Sequence, residues 1–572
     1  MSLPGRPKGE YRSAEHEGTP VSLPAACADY AAYATSAYPQ TFGELLDWSL
    51  ARVDRPEEKI YFRITGGPPV TYAEFGRNVH RVCNLFASLG LTQGDHVGIY
   101  LGNCVEYAYL YHALSKCGLV MVPLNQFLRG ESLRYILHHA DAKALITSKA
   151  LFDDKVAHVL GELPNIERIL FTDALPDALP AAPGVATGLF SDFAACEPVF
   201  RNPPPVSGSD LQGIWYTSGT TGLPKGASTT QRSYVFRALF YADYFRMARD
   251  EVVYYVLPQY HVAYMVFGGP FAMAAGCEIV QVDWFSASRF WDDIERHRVS
   301  VTFSTGTIVP LMLGRAPSAI EQAAQPHLRL WVGWPVDDPA AVRARWPNTR
   351  FMELYGTTEA GNATICDYDA PQLGTAGQPA PYTDLRIIDP KTGAELPAGQ
   401  TGEIKVRHKL GPDYILRAYY KDDAKTRETL RDGYWHSGDM GMIDPATGCL
   451  RFQGRIKDYL RVGGENVSAG VVEAIVRQHP AVAEVAVVGA KNELGHDELA
   501  AHVVPKEDAT VDPAGFFVFC NREMPYFMVP RFLVFQAELP KTATQRVEKY
   551  KLQQQGTAAA IDRKALGIEL KR

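Results

Sequence analysis

The sequence predicts an α/β protein: a large N-terminal domain of α/β subdomains with a short β-rich subdomain, then a small α+β C-terminal domain. Three observations carry that expectation. The chain has 572 residues, more than one hydrophobic core usually supports. Strand-sized apolar runs alternate with helix-sized amphipathic ones through its first half and beyond, as in α/β units around a mainly parallel sheet. From about residue 383 that rhythm gives way to short runs divided by turn residues.

In chain order, residues 1–40 are polar and rich in Pro, Gly and Ala, and read as a flexible lead-in. An amphipathic stretch begins at Thr71 and runs through Leu89. Strand-like runs follow at His96–Tyr100, Leu119–Val122 and Ala144–Thr147, separated by helical patterns at Val105–Ser115 and Leu133–His139. The same pattern recurs at Ile169–Thr172, Val252–Leu257, Glu278–Val282, Val301–Thr305 and Leu328–Val332, while the Pro/Ala-rich residues 174–187 and 202–208 read as loops. Beyond residue 383, Asp384–Asp389, Gly402–Arg407 and Leu450–Phe452 read as short antiparallel strands, with a turn at Pro390–Gly393. The last portion, from about residue 458, offers a helix at Val471–Gln478, strands at Val485–Gly489 and Ala500–Pro505, and a basic helical tail.

Hydrophobic residues make up 46% and charged residues 21% of the chain, ordinary values for a soluble globular protein. The balance of 57 basic and 64 acidic side chains gives a net charge of −7, which argues against nucleic acid or an anionic membrane as partner. The cysteines are scattered singly, with no Cys-x-x-Cys, so neither a zinc site nor a disulfide framework is signalled. The N-terminal residues lack the apolar core of a signal peptide, and the apolar segment Val262–Gly276 is shorter than a membrane span and contains Gly and Pro. A cytoplasmic protein is expected, and composition leaves a homo-oligomer open.

The most informative stretch is Tyr216-Thr-Ser-Gly-Thr-Thr-Gly-Leu-Pro-Lys-Gly-Ala227, after the apolar run Gly213–Tyr216. Glycines let backbone N–H groups close around an anion, hydroxyls add donors, and Lys225 adds a fixed positive charge. It is not a Walker A loop, because Pro224 stands where the second glycine of that pattern belongs. A surface turn is the simpler alternative for a short glycine cluster, but the ordered string is specific enough to favour a polyphosphate cradle. Downstream, Tyr355-Gly-Thr-Thr-Glu359 follows a strand-like run. Its glutamate suits a divalent cation held against phosphate oxygens, or else the acidic first turn of a capped helix. Ser437-Gly-Asp439 reads by itself as a turn between strands.

Together these segments resemble the signatures of the adenylate-forming superfamily, which includes acyl-CoA synthetases, peptide-synthetase adenylation domains and beetle luciferases. The resemblance implies ATP as a substrate, Mg²⁺ on Glu359, and CoA as the acceptor of a carboxylic acid activated as acyl-AMP. It assigns nucleotide contacts to Thr217, Ser218, Gly219, Thr220, Thr221, Gly222 and Lys225, to Gly333 and Trp334, and to Gly356, Thr357 and Thr358, with Tyr355 stacking on adenine. Asp439 would accept both ribose hydroxyls and Arg455 would meet ribose or phosphate. Gly454-Arg455-Ile456-Lys457-Asp458 matches the inter-domain segment, so Lys457 is the expected hinge between domains 1–456 and 457–572, the second mobile. Gly463 and Gly464 match a loop that helps form the CoA channel. The acyl pocket is expected from Tyr260, His261, Tyr264, Gly306 and Trp334, with His261 as gate and Trp334, where the family usually has alanine, as a narrowing wall.

One departure stands out. The family's C-terminal Pro-Lys-Thr-x-Thr-Gly-Lys reads here Pro540-Lys-Thr-Ala-Thr-Gln-Arg546, so Arg546 replaces the lysine that bridges substrate carboxylate and phosphates. A guanidinium keeps the charge and binds oxyanions bidentately, but it is bulkier than an ammonium. Lys549 is the second candidate for the role. The tail resembles the crotonobetaine/carnitine-CoA ligase-like branch. Other outcomes left open are a freestanding enzyme loading a carrier protein, or a catalytically weak nucleotide-binding relative.

Overall fold

The computed structural model describes residues 27–177, 184–217, 224–305, 308–336, 338–455, 459–462, 465–491, 497–507, 509–541 and 547–570. These divide into two compact units, one drawn from Met1–Leu385 and Val406–Trp435, the other from Arg386–Lys405 and His436–Arg572.

The first unit is built on two sheets. A seven-stranded sheet runs in the order Arg350–Glu353, Leu330–Gly333, Val301–Phe303, Val252–Tyr255, Glu278–Gln281, Ile60–Ile64, Pro69–Thr71. All of its neighbours are parallel except the last pair. An eight-stranded sheet carries a parallel core of Val120–Pro123, His96–Tyr100, Ala142–Thr147, Arg168–Phe171 and Ala186–Leu189, with Leu211–Thr217 beside Val120–Pro123. It ends in the antiparallel strands Lys225–Thr230 and Ala418–Tyr419. Strands in these sheets are Val/Ile/Leu-rich because helices cover their faces.

The helix Gln231–Tyr244 leaves the strand Lys225–Thr230 directly and is buried along most of its length, packed on Ala263–Phe267 and Gly269–Ala275. The Val262–Gly276 segment is therefore two short core helices, broken where Gly268 and Gly269 abut the Tyr264 ring. No helix of the described residues is long and apolar enough to cross a membrane.

Several early expectations change. Residues 27–40 are not a loose lead-in: Cys27–Ala34 forms a 3-10 helix on Gln231–Tyr244, and the Tyr33 hydroxyl donates to Asp243 at 3.2 Å. The helix Phe42–Leu50 and the strand Ile60–Ile64 were not evident from the sequence pattern; the helix is closed by a capping box between Thr41 and Glu44. The strand Ala186–Leu189 begins inside a stretch read as loop.

The second unit contains a sheet in the order Val482–Lys491, Asp497–Pro505, Phe532–Phe535, Ile561–Asp562, with the helices Ala469–Val476 and Pro513–Glu523. Its other part pairs His436–Ile443 antiparallel with Leu450–Arg455. The tail helix is short, Lys549–Gln555.

Candidate active site

The signature string is the head of a β-hairpin. Leu211–Thr217 pairs antiparallel with Lys225–Thr230, and Thr217 and Lys225 are register partners at its tip. Ser218, Gly219, Thr220, Thr221 and Gly222 lie outside the described residues. The Lys225 ammonium sits 6.0 Å from the centre of the Tyr419 ring, and the strand Ala418–Tyr419 flanks the hairpin through the pairs Ala418–Ser228 and Tyr419–Ala227. The Tyr419 hydroxyl in turn donates to Glu359 Oε1 at 3.0 Å. One tyrosine thus joins the lysine of the first signature to the carboxylate of the second. The other oxygen of Glu359 makes no hydrogen bond or ion pair with the described residues.

The turn bearing Glu359 is a tight hairpin, not the start of a helix. Gly356 and Thr357 pair with Asn362 and Gly361, and the Ala360 N–H donates to Thr357 Oγ1 at 3.1 Å. Gly361 takes φ +63, the left-handed region that favours glycine, which lets the chain reverse there. The helix Gln231–Tyr244 fastens the turn from behind. The Tyr234 hydroxyl donates to Thr358 O at 3.1 Å, and Arg237, fully buried, donates to Ala360 O and Tyr414 O, each at 2.8 Å. No carboxylate pairs with Arg237 among the described residues. Its charge is spread over carbonyl oxygens and the Tyr234 and Tyr382 rings. The same cation, after burial, holds the stacked His408 down to about 2.

The turn opens at the carboxyl edge of the parallel strands of the seven-stranded sheet, where ligands of open α/β sheets bind. Gly333 ends the strand Leu330–Gly333, and a Cβ there would come within 2.9 Å of Ser304 O. Trp334 follows with 43% of its surface exposed, so it is not packed into a core. Tyr355, buried, donates its N–H to Thr364 Oγ1 at 2.9 Å. Glu353 ties the edge together: its carboxylate accepts from the N–H groups of Val336 (2.7 Å), Gly374 (2.6 Å) and Thr375 (3.1 Å). Burial pushes its carboxyl up to about 7 despite those donors.

Beyond the strand Val252–Tyr255, on the same edge, the chain turns through Tyr260, His261 and Tyr264. Tyr260 and Tyr264 are buried and His261 partly so. His261 Nδ1 accepts the Ala263 N–H at 3.2 Å, so the proton of the neutral ring belongs on Nε2; burial holds the imidazole down to about 4. Gly306 lies outside the described residues.

In the second unit, Ser437-Gly-Asp439 is not a turn between strands but a kink within one. The strand runs from Tyr434 to Ile443, with Gly438 at φ +66 and a register shift after Met440. Ser437 Oγ donates to Ile404 O at 2.6 Å and receives the Asp439 N–H at 2.9 Å, while the Gly438 N–H donates to Glu403 at 3.1 Å. Arg455 Nε meets the almost fully buried Asp439 carboxylate at 2.7 Å. Lys457, Gly463, Gly464 and Arg546 lie outside the described residues. The bridge between Lys541 and Val547, with the Glu548 N–H donating to Pro540 O at 2.8 Å, closes the flanks of residues 542–546 on each other. The Lys549 ammonium is bound to Glu473 at 2.8 Å.

Comparison with known proteins agrees with this geometry. The AMP-binding enzyme family matches residues 51–420, and its C-terminal domain matches residues 471–546. The chain belongs to the AMP-binding enzyme family. Crotonobetaine/carnitine-CoA ligase of Escherichia coli O7:K1 is 30% identical over 487 residues, 83% of this chain and 92% of that protein. ATP-bound MatB from Rhodopseudomonas palustris superposes with a TM-score of 0.79 at 26% identity, covering 90% of this chain and 99% of that one. A benzoate CoA ligase from Burkholderia xenovorans LB400 shares the fold at a TM-score of 0.76 and 23% identity, over 90% and 99% of the two chains.

Within this AMP-binding enzyme, sequence reading missed Tyr419, Arg237, Tyr234 and Glu353. For Glu353 a signal existed, a lone acid in the apolar strand Arg350–Glu353. The other three gain their place only through pairing of distant segments.

Proposed function

We propose that this chain is an AMP-forming acid–thiol ligase, which uses ATP to activate a carboxylic acid as acyl-AMP, releases pyrophosphate, and transfers the acyl group to CoA. The observation that carries this reading is Tyr419, which brings Lys225 and Glu359 to one ring. A carboxylate resists nucleophiles because of its charge, and the AMP anhydride removes that charge and supplies a leaving group. The protein's share is then positioning and charge neutralisation.

Lys225, with Thr217 and the loop that follows it, neutralises the phosphates. Tyr355 stacks on adenine beside Gly356, Thr357 and Thr358. Asp439 accepts the ribose hydroxyls and Arg455 steadies that carboxylate. Glu359 has the chemistry for Mg²⁺: a hard oxygen with no partner among the described residues, matching an ion that takes one or two carboxylates plus phosphates. When bound there, Mg²⁺ would neutralise phosphate charge. Among the described residues no group of three or more His, Cys, Asp or Glu assembles a metal cage. His261 and Trp334 border the acid. Arg546 bridges acid and phosphate, since Lys549 is already paired with Glu473. The proposed hinge is Lys457, with Gly463 and Gly464 along the thiol's channel.

The test is incubation of the purified protein with ATP, Mg²⁺, CoA and a panel of short, aromatic, alicyclic and cationic acids, measuring AMP and thioester. AMP with acyl-CoA from some acids supports the ligase. AMP without thioester points to another acceptor, and no AMP from any acid overturns the reading.

A further inference from the structure

Glu353 gathers three stretches of chain around one carboxylate. It closes the strand Arg350–Glu353 and is the parallel register partner of Gly333. Leu354, the next residue, donates its N–H to Gly333 O at 3.1 Å. The Glu353 side chain reaches past that partner and takes the Val336 N–H on Oε1 at 2.7 Å. Trp334 and Pro335 are therefore a two-residue span held at both ends, and the exposed indole stands on it.

The other oxygen carries the tie further. Oε2 accepts the N–H groups of Gly374 at 2.6 Å and Thr375 at 3.1 Å. Gly374 takes φ +79, and a Cβ on it would lie 3.0 Å from Pro339 Cγ and 3.7 Å from Val336 O, so the two loops also pack on each other. The residue after Thr375, Ala376, accepts a bond from Thr364 Oγ1, the same oxygen that receives the Tyr355 N–H. A path of hydrogen bonds and single backbone steps thus runs from the Trp334 span, through the Glu353 carboxylate and residues 374–376, to Tyr355.

The ionised carboxylate is the form that fits, because both of its oxygens face N–H donors and a carboxylic acid would turn an O–H towards one of them. Arg343, on the helix Pro339–Arg345, favours the charged form, while burial opposes it and prevails. Of the other groups on these loops, Asp338 accepts the Ala341 N–H at 2.9 Å and the Cys366 thiol donates to Gln372 O; Asp337 lies outside the described residues. No cation forms an ion pair with Glu353 among the described residues. An acid buried in this way has a desolvation cost that an apolar residue would avoid, and the three ties are what it supplies in return.

We propose that Glu353 is a specificity-determining positioning residue, which holds the Trp334 span and the Gly374–Thr375 turn on the strand leading to Tyr355 and so fixes the wall beside the acid. The inference rests on the reading of Trp334 as bordering the acid and of Tyr355 as stacking on adenine.

The experiment measures kcat/KM for a narrow and a broad acid, from AMP release by the whole chain with ATP, Mg²⁺ and CoA, at about pH 6 and about pH 8. The narrow-to-broad ratio cancels titrations common to both reactions. It should be at least about threefold higher at the upper pH in the wild-type chain, where the carboxylate is ionised. Glu353→Gln keeps the shape but sets an NH₂ against an N–H donor. It should lower the ratio at the upper pH at least about threefold and make it independent of pH. In Trp334→Ala the same substitution should change the ratio no further. An unchanged ratio in a folded, active Glu353→Gln, or an equal change on the Trp334→Ala background, would overturn the inference and leave the ligase intact. Where Glu353→Gln does not fold or turn over, the wild-type chain decides, and a ratio that does not vary with pH would overturn it. Failure of every acid to release AMP would overturn the ligase reading, and the inference with it.

Discussion

Arg455 and Asp439 are register partners on neighbouring antiparallel strands, and the guanidinium holds the carboxylate at 2.7 Å. The strand kink at Gly438, anchored by Glu403, sets the carboxylate in place. Asp439→Asn keeps the shape but removes the charge. We expect kcat/KM for ATP to fall about 100-fold, near the upper range for a lost charge-assisted hydrogen bond. Arg455→Lys should cost about tenfold, because an ammonium cannot reproduce the fork. ATP–pyrophosphate exchange measures both, and an unchanged KM for ATP in Asp439→Asn would remove this residue from the nucleotide site.

Tyr419→Phe deletes one hydroxyl and leaves the strand pairing alone. The loss of its bond to Glu359, worth about 0.5–1.5 kcal/mol, should lower kcat several-fold and raise the Mg²⁺ concentration needed for half-maximal rate. A Mg²⁺ titration of AMP release decides it; an unshifted titration would make Tyr419 a packing residue only.

Arg546→Ala should abolish acid-dependent pyrophosphate release by more than about 100-fold, while leaving thioester formation from supplied acyl-AMP less affected. Lys549→Ala should retain most adenylation. It loses a partly exposed pair with Glu473 worth about 0–1 kcal/mol of stability. Full activity in Arg546→Ala together with loss in Lys549→Ala would reverse the assignment.

The buried imidazoles contribute to loss of stability in acid. Burial holds His112, His261 and His502 to about 4 and His408 to about 2. Free in the unfolded chain they titrate near about 6.5, so the unfolded state binds more protons as pH drops below that value. Their contribution to stability is therefore fully present above pH ~6.5 and declines on acidification towards ~4, and for His408 towards ~2, by up to about 1.4 kcal/mol per pH unit for each such proton. Melting curves from pH 7 to 5 should show the fall, and His408→Phe should flatten it.

Much of the α/β frame was legible because its strands are apolar runs with clear borders; Val252–Tyr255, Glu278–Gln281 and Val301–Phe303 lie within the runs that predicted them. Residues 27–60 were opaque, since Cys27–Ala34 gains its order from contacts such as Tyr33 with Asp243, more than two hundred positions away; residues 1–26 lie outside the described residues. At the site, Lys225, Glu359 and Asp439 were visible as motif positions. Their surroundings were not: nothing local to Tyr419 says that it will pair beside Ala227, and the hairpin at Glu359 was hidden by a Thr-Thr-Glu string that serves equally as a helix cap.

For the gene, position 361 is a codon whose neutral neighbours are the synonymous ones. Every single-base missense change from a glycine codon introduces a Cβ, and here that atom would lie 2.3 Å from Arg237 Nε, on a backbone φ of +63. Drift cannot pass through this site one step at a time, so the hairpin bearing Glu359 is inherited whole or lost.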